Sequence, residues 1–352
     1  MSDPAPFQPP ESLRPADPLE PAPLAPPAGR RARLLRAGLA VVVAASVVAV
    51  ALDLLRRFDA AQVSLHAGWL LAALVPASVA VLVQAMAWRT LLSQLSGRQV
   101  PLHDSAVVYL DSQLARYVPG KVGLLAARIA AAPRLGVKPR LMVSSLFVEL
   151  LSWGGVGVLA GFSSVAATSL ALPTRGGAWA PIVAEARTIA LPLALVALVG
   201  LLGLCLIPRA RFPSWLRSVL TATDGEAPLS APLVPAILPF WHVLHWLCWG
   251  LAGAVLSLGL GATPSVAAFS GGVLCLAVVL GALAVVAPAG AGVREVVISV
   301  GTAPVLGPSA ALVLGLAARA ISLAADFACW TAVRLFQLQR ERALRASARG
   351  QG

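Results

Sequence analysis

Residues 115–123 read ARYVPGKVG and lie within a polar stretch, residues 104–133, that separates two apolar runs of the chain. Proline ends a helix and glycine lets the chain turn, so Pro119 and Gly120 predict a break inside a helical segment. Basic residues on both sides of the stretch predict that both of its ends lie in the cytoplasm. The segment is therefore expected to enter and leave the membrane on one side, as a re-entrant hairpin. The flanking basic residues are Arg89, Arg98, Arg134 and Arg140.

The composition of the chain indicates a membrane protein. Of 352 residues, 58% are apolar and only 12% are charged, and the mean hydropathy is +0.83. Soluble domains carry about twice that charged fraction. The net charge of +12 lies mainly in short loops and at the two ends, as the positive-inside rule predicts. No basic face interleaved with aromatic residues is visible, so nucleic acid is not an expected partner.

Six apolar runs are long enough to cross about 30 Å of hydrocarbon as helices. They are predicted at residues 37–55, 68–88, 141–162, 188–207, 236–260 and 309–333.

A second broken segment lies between the fifth and the sixth of these spans. Residues 266–308 are apolar except for PAGAGVRE at residues 288–295. Because the fifth span ends outside and the last one begins there, this segment must start and finish outside. Its hairpin would then enter from the face opposite to the first, which is typical of an inverted-topology repeat. The predicted fold class is an all-α polytopic membrane protein with six full transmembrane helices and two re-entrant hairpins.

The ends of the chain are predicted to lie in the cytoplasm and the protein in the inner, or plasma, membrane. Residues 1–29 are rich in proline and poor in large apolar side chains, which predicts a disordered tail. Residues 30–340 form the predicted membrane domain, and residues 341–352 a basic tail.

The two breaks carry the predicted binding residues. Backbone amides freed at a break, together with nearby cations, suit an anionic phosphate. The alternative is a cytoplasmic loop whose basic residues merely face lipid headgroups. The candidate headgroup-binding residues are Arg116, Tyr117, Pro119, Gly120, Lys121, Arg128, Gly292 and Arg294.

Four further charges lie at membrane depth, where an ionised group costs about 2.5–3.5 kcal/mol and is seldom retained without a partner or a function. Arg319 and Asp326 are seven residues apart and share one helix face, while Arg294 and Glu295 point to different faces. We expect a buried charge network formed by Glu149, Glu295, Arg319 and Asp326. A purely structural ion network is the alternative.

Two motifs give the chain a resemblance to a known family. RYVPGKVG at residues 116–123 and GVRE at residues 292–295, with GVKP at residues 136–139 and Glu149 between them, resemble the flippase-like family that shares the membrane region of lysylphosphatidylglycerol synthases. The resemblance covers about residues 35–340. Synthase members carry an additional soluble aminoacyl-transferase domain, and we expect no lipid lysylation by this chain alone.

The leading functional hypothesis is a translocase of an anionic or glycosylated, for example polyprenyl-linked, lipid, with membrane lipids as partners. Glu149, Glu295 and Asp326 would balance the cations or relay protons. The alternatives are a non-transporting partner of a cell-envelope glycosyltransferase and a secondary transporter of a small solute. No nucleophile elbow, Walker loop or zinc-hydrolase motif is present, so neither catalysis nor a cofactor or metal is predicted.

Overall fold

The computed structural model describes residues 63–117, 122–169, 180–211, 234–284 and 290–349. These residues form helices and short connections, with a 3-10 turn at Arg209–Arg211, and the described parts contain no strand. The helices are α1 (Ala67–Ser96), α2 (Leu102–Ala115), α3 (Val122–Ala130), α4 (Ala132–Leu135), α5 (Pro139–Ser169), α6 (Ala180–Leu206), α7 (Ile237–Gly259), α8 (Pro264–Leu283), α9 (Val293–Leu306) and α10 (Pro308–Arg349).

Six of the described helices are long and apolar enough to cross a membrane, namely α1, α5, α6, α7, α8 and α10. Five of them match predicted spans, and the all-helical membrane fold is confirmed. The predicted span at residues 37–55 lies outside the described residues. The sixth is α8, which lies in the second broken segment of the sequence analysis and whose 20 residues are long and apolar enough for a span.

Close backbone approaches hold α8 in the interior of the bundle. A Cβ on Gly271 would lie 2.4 Å from the carbonyl oxygen of Gly250 on α7. A Cβ on Gly161 of α5 would lie 2.5 Å from the side chain of Leu276 on α8. Glycine at these positions lets the helices approach closely, which is how membrane helices gain van der Waals contact. Accordingly, α8 is the most buried of the six candidate spans, with 67% of its apolar window inside.

The first predicted break separates two helices that pack against each other. Arg128 on α3 donates from Nε to the hydroxyl of Ser112 on α2, at 3.3 Å. Its guanidinium carbon also lies 5.3 Å from the centre of the Tyr109 ring on α2. Thus α2 and α3 form a helical hairpin, hairpin 1. Its tip at residues 118–121, which includes Pro119, Gly120 and Lys121, lies outside the described residues.

The second break also produces a helical hairpin, hairpin 2, formed by α8 and α9. Gly290 has a φ of 71° and Gly292 a φ of 81°, conformations that L side chains rarely adopt. A Cβ on Gly290 would lie 2.7 Å from the Cα of Gly281 on α8. The bare backbone of the PAGAGVRE motif is therefore required both for the turn and for the contact between the two arms.

Both hairpins pack on α10, but from its two different ends. On α2, His103 contacts Phe336, Asp111 contacts Arg334, and Arg116 contacts Asp326, so hairpin 1 follows α10 from its C-terminal end inward. On α9, Arg294 contacts Ser322 and Ser299 contacts Ala311, so this arm follows α10 toward its N-terminal end. The C-terminal end of α2 and the first turn of α9 therefore both contact α10 at residues 319–326. The inverted repeat itself stays a prediction.

Candidate functional site

A group of polar side chains lies where the two hairpins meet on α10. We call it the tip cluster, and its members are Arg116, Tyr117, Arg294, Glu295, Arg319, Ser322 and Asp326.

Hairpin 1 is attached to α10 through one carboxylate. Arg116 forms an ion pair with Asp326, whose residue surface is only 2% exposed. Tyr117 donates its hydroxyl to the same carboxylate oxygen, at 2.6 Å. A second nitrogen of Arg116 donates to Oε1 of Gln113 at 2.8 Å, which fixes the guanidinium on α2. Asp326 therefore holds the end of α2 with two charge-assisted hydrogen bonds, a strong type of contact.

Hairpin 2 is attached to α10 through the first turn of α9. Arg294 donates from Nη2 to the hydroxyl of Ser322 at 2.9 Å. The adjacent Glu295 places Oε1 3.7 Å from Nε of Arg319. Arg294 and Glu295 thus bind α10 separately and not each other.

Arg319 connects the two hairpins. Besides its contact with Glu295, its guanidinium carbon lies 5.7 Å from the centre of the Tyr117 ring. A cation over an aromatic ring at this distance is attracted by the negative face of the ring. One side chain of α10 therefore contacts the attached ends of both hairpins.

The tip cluster contains more cations than anions. Its three arginines face two carboxylates, Asp326 and Glu295, and these pair with Arg116 and Arg319. Arg294 is 6% exposed, and within the described part of the chain no carboxylate lies within ion-pair distance of it. Its Nε has no hydrogen-bond partner there, and neither has Oε2 of Glu295. A buried, incompletely paired guanidinium is costly, and an anionic ligand would lower that cost.

A second buried group, the buried network, comprises Gln84, Arg128, Glu149 and His242. Arg128 is 0% exposed and forms an ion pair of 2.5 Å with Oε2 of Glu149. Gln84 donates to Oε1 of Glu149 at 2.9 Å, and its own oxygen lies 3.2 Å from Nδ1 of His242. The Trp88 ring lies 4.8 Å from the guanidinium of Arg128. Here cation and anion balance, and the network joins hairpin 1 to α1, α5 and α7.

Comparison with known families identifies the family of the chain. A family model described as the lysylphosphatidylglycerol synthase TM region matches residues 37–328. The chain belongs to that family. A search of curated proteins found no match to the chain. The protein is thus an integral, multi-pass membrane protein related to lipid metabolism or transport.

In this member of the lysylphosphatidylglycerol synthase TM family, the predicted site residues fall into two groups. The tip cluster brings together Arg116, Tyr117, Arg294, Glu295, Arg319 and Asp326, and Gly292 immediately precedes α9. Arg128 and Glu149 were assigned to different roles by the sequence analysis, whereas in the structure they pair with each other. Among the described residues, Glu149 bonds to Gln84 on α1 and Arg128 on α3, and not to Arg319 or Asp326, because α5 faces α1 and α3 at this level.

Sequence reasoning missed several partners of these charges. Ser322 lies three residues after Arg319 and four before Asp326, a helical spacing that places all three on one face. Gln84 is an amide within the apolar run LVQAM and was overlooked for lack of a charge. Trp249, whose ring lies 5.9 Å from the guanidinium of Arg294, carried no signal that separated it from other tryptophans. Among the described side chains, no group of three His, Cys, Asp or Glu is placed to hold a metal ion.

Proposed function

We propose that the protein is a lipid translocase that moves an anionic or glycosylated lipid between the two leaflets, with the tip cluster as its gated polar site. The lipid headgroup would bind between the ends of the two hairpins, and its hydrocarbon part would stay among the apolar helices.

The observation that supports this proposal best is the environment of Arg294. Its guanidinium is buried, and a serine hydroxyl and the face of a tryptophan ring are its contacts. Guanidinium presents parallel N–H donors whose geometry matches the oxygens of a phosphate. A phosphate would satisfy the unpartnered Nε and balance the excess positive charge of the cluster.

The same contacts suggest how the site could open to each side in turn. Each hairpin is held on α10 by an ion pair, Arg116 with Asp326 and Arg319 with Glu295. A phosphate bound at Arg294 would compete with these carboxylates for the neighbouring arginines. A ligand shifts a conformational equilibrium only through different affinities for the two states, and exchange of these ion pairs would supply that difference.

The orientation belongs to the same proposal. Basic residues continue along the C-terminal part of α10, including Arg334 and Arg340, and by the positive-inside rule they support a cytoplasmic position for this end. With all native cysteines replaced, a cysteine at exposed Gln339 should react only from the cytoplasmic side and one at exposed Thr263 only from the other. Reaction of both from one side would contradict the proposed topology.

The translocase function is tested with purified protein in liposomes and a fluorescent anionic lipid whose leaflet is read by a membrane-impermeant quencher. Arg294→Gln removes the charge but keeps a hydrogen-bond donor for Ser322, and it should lower the translocation rate at least tenfold. Arg334→Gln is the matched control, because Arg334 pairs with Asp111 on a partly exposed surface away from the tips. Equal rates for wild type and Arg294→Gln, at equal insertion, would overturn the proposal.

A further inference from the structure

An apolar groove lies on the outside of the bundle between α1, α2 and the C-terminal half of α10. Its volume is about 580 Å³, within the range of about 300–1,000 Å³ typical of small-molecule sites. The space exists where four small side chains come together. These are Ser78 on α1, Ala106 on α2, and Ala328 and Ala332 on α10.

The groove follows the axis of α10. Ala328, Ala332 and Phe336 recur every four residues and form one stripe of that helix, about 12 Å long at 1.5 Å per residue. Leu82 and Leu102 border the groove from α1 and α2, and with Phe336 they are 44–59% exposed. Because α1 and α10 are long and apolar enough to cross a membrane, we expect Leu82 to face lipid hydrocarbon and Phe336 to lie near the headgroup region. A groove that runs along a spanning helix has the direction of the acyl chains in a bilayer.

One end of the groove is polar. His103 lies at the Phe336 end, with the two rings 5.8 Å apart. Its Nε2 is buried and has no hydrogen-bond partner among the described residues. The next residue, Asp104, pairs with Arg134 on α4 at 3.0 Å, and both side chains are more than a third exposed. The other end, at Cys329, is one helical turn from Asp326 of the tip cluster.

We propose that this groove binds one acyl chain of a phospholipid, with the headgroup at His103 and Arg134 and the chain directed toward Cys329. Nε2 of His103 would then meet a phosphate or ester oxygen. The lipid enters from the leaflet at the C-terminal end of α10 and is bound in the groove before its headgroup reaches the tip cluster. As an entry site for the substrate, this inference rests on the proposed translocase function; as a lipid site, it rests on the groove alone.

The experiment uses the full-length protein in nanodiscs of phosphatidylcholine that contain a phosphatidylglycerol with a photoreactive diazirine on one acyl chain. Mass spectrometry of the labelled peptides should find the label on residues 328–336 of α10 and around Leu82 of α1. Ala332→Trp fills the groove and should lower labelling there at least fivefold. The control is Ala72→Trp, an exposed alanine of α1 outside the groove, which should leave labelling unchanged.

The outcomes separate this inference from the proposed function. Absence of label from the groove in the wild type, or equal labelling of Ala332→Trp, would overturn the acyl-chain site even if translocation depends on Arg294. Groove labelling without any dependence of translocation on Arg294 would leave the lipid site standing and remove the translocase.

Two further controls cover folding and other occupants. If Ala332→Trp is not monodisperse, Ala106→Leu reduces the same space with a smaller side chain and should lower labelling at least twofold. A cysteine introduced at Ala332, which lines the groove and is exposed, can be cross-linked in native membranes with a short bifunctional reagent. Cross-links to residues 37–55 or to a second copy of the chain, without lipid labelling, would overturn the proposal.

Discussion

The tip cluster and the buried network are both groups of buried charge, but they differ in how their charges are satisfied. In the buried network, the ion pair of Arg128 and Glu149 is supported by Gln84 and by the hydroxyl of Ser112. In the tip cluster, Arg294 has no carboxylate within ion-pair distance among the described residues. Unpartnered polar atoms occur in both groups, including Nε of Arg294 in the tip cluster and Nε2 of His242 in the buried network. Burial of charge therefore does not by itself indicate a binding site. The two regions differ because the tip cluster has one more cation than anions, and only an excess charge of this kind favours binding of an anion.

The largest expected effect tests the structural role of the buried network. Arg128→Met leaves Glu149 buried without its cation, and breaking a buried ion pair costs about 3–5 kcal/mol. The free energy of unfolding, measured by denaturant titration in detergent, should fall by about that amount. The double variant Arg128→Met with Glu149→Leu should regain most of the loss. A loss below about 1 kcal/mol for Arg128→Met would contradict the role assigned to this pair.

The next effect concerns the turn that presents Arg294 to the tip cluster. Gly290→Ala combines a positive φ with a contact to Gly281, and the strain of such a residue alone costs about 1–3 kcal/mol. Its matched control is Gly97→Ala, where φ is 68° but nothing lies within 4 Å of the added Cβ. Gly290→Ala should destabilise the protein more than Gly97→Ala does, and it alone should slow translocation. Equal losses would show that the contact between the hairpin arms contributes nothing.

A smaller effect tests whether an anion competes with the carboxylate of Asp326 in the tip cluster. Asp326→Asn removes a carboxylate from the tip cluster and frees Arg116, so a soluble headgroup analogue such as glycerol phosphate should bind about three- to tenfold more tightly. Glu149→Gln makes the same change of charge in the buried network and should leave this affinity unchanged. Isothermal titration calorimetry compares the two variants directly. Weaker binding by Asp326→Asn would refute the idea that an anion competes with this carboxylate.

The smallest effect is expected at an ion pair that is as short as that of Arg128 and Glu149 but whose side chains are more exposed. Arg334 and Asp111 lie 2.5 Å apart, with side chains 35% and 33% exposed. Exposed ion pairs contribute about 0–1 kcal/mol, so Arg334→Gln should change the free energy of unfolding by less than about 1 kcal/mol. A cost as large as that of Arg128→Met would mean that burial does not explain the difference between the two pairs.

The sequence was sufficient to predict the class of the fold and its two broken segments. Apolar runs of the required length and the Pro-Gly and Gly-rich breaks are local properties, and the helices α1, α5, α6, α7 and α10 lie where the runs predict them. It also placed α8 in the second broken segment, and α8 is one arm of hairpin 2; whether its 20 apolar residues cross the membrane is a separate question, which length and composition do not decide.

The candidate site was predictable in its residues but not in its pairings. Charges within apolar segments identified most members of both groups, since an ionised side chain is rare at that depth. The pairing of Arg128 with Glu149, and of Asp326 with Arg116, depends on how helices distant in sequence are rotated about their axes. A single sequence does not specify that rotation, which is why Arg128 was grouped with the headgroup-binding residues.

The position of Arg319 also suggests how movements of the two hairpins could be coupled. In many proteins, signals between distant sites pass through chains of packed residues or shifts of whole subunits. Here Tyr117 of hairpin 1 and Glu295 of hairpin 2 both touch one guanidinium. Displacement of either hairpin changes the surroundings of that group, and with it the interaction available to the other hairpin. Coupling between the two hairpins therefore requires no chain of intermediate residues, because both contact the same side chain.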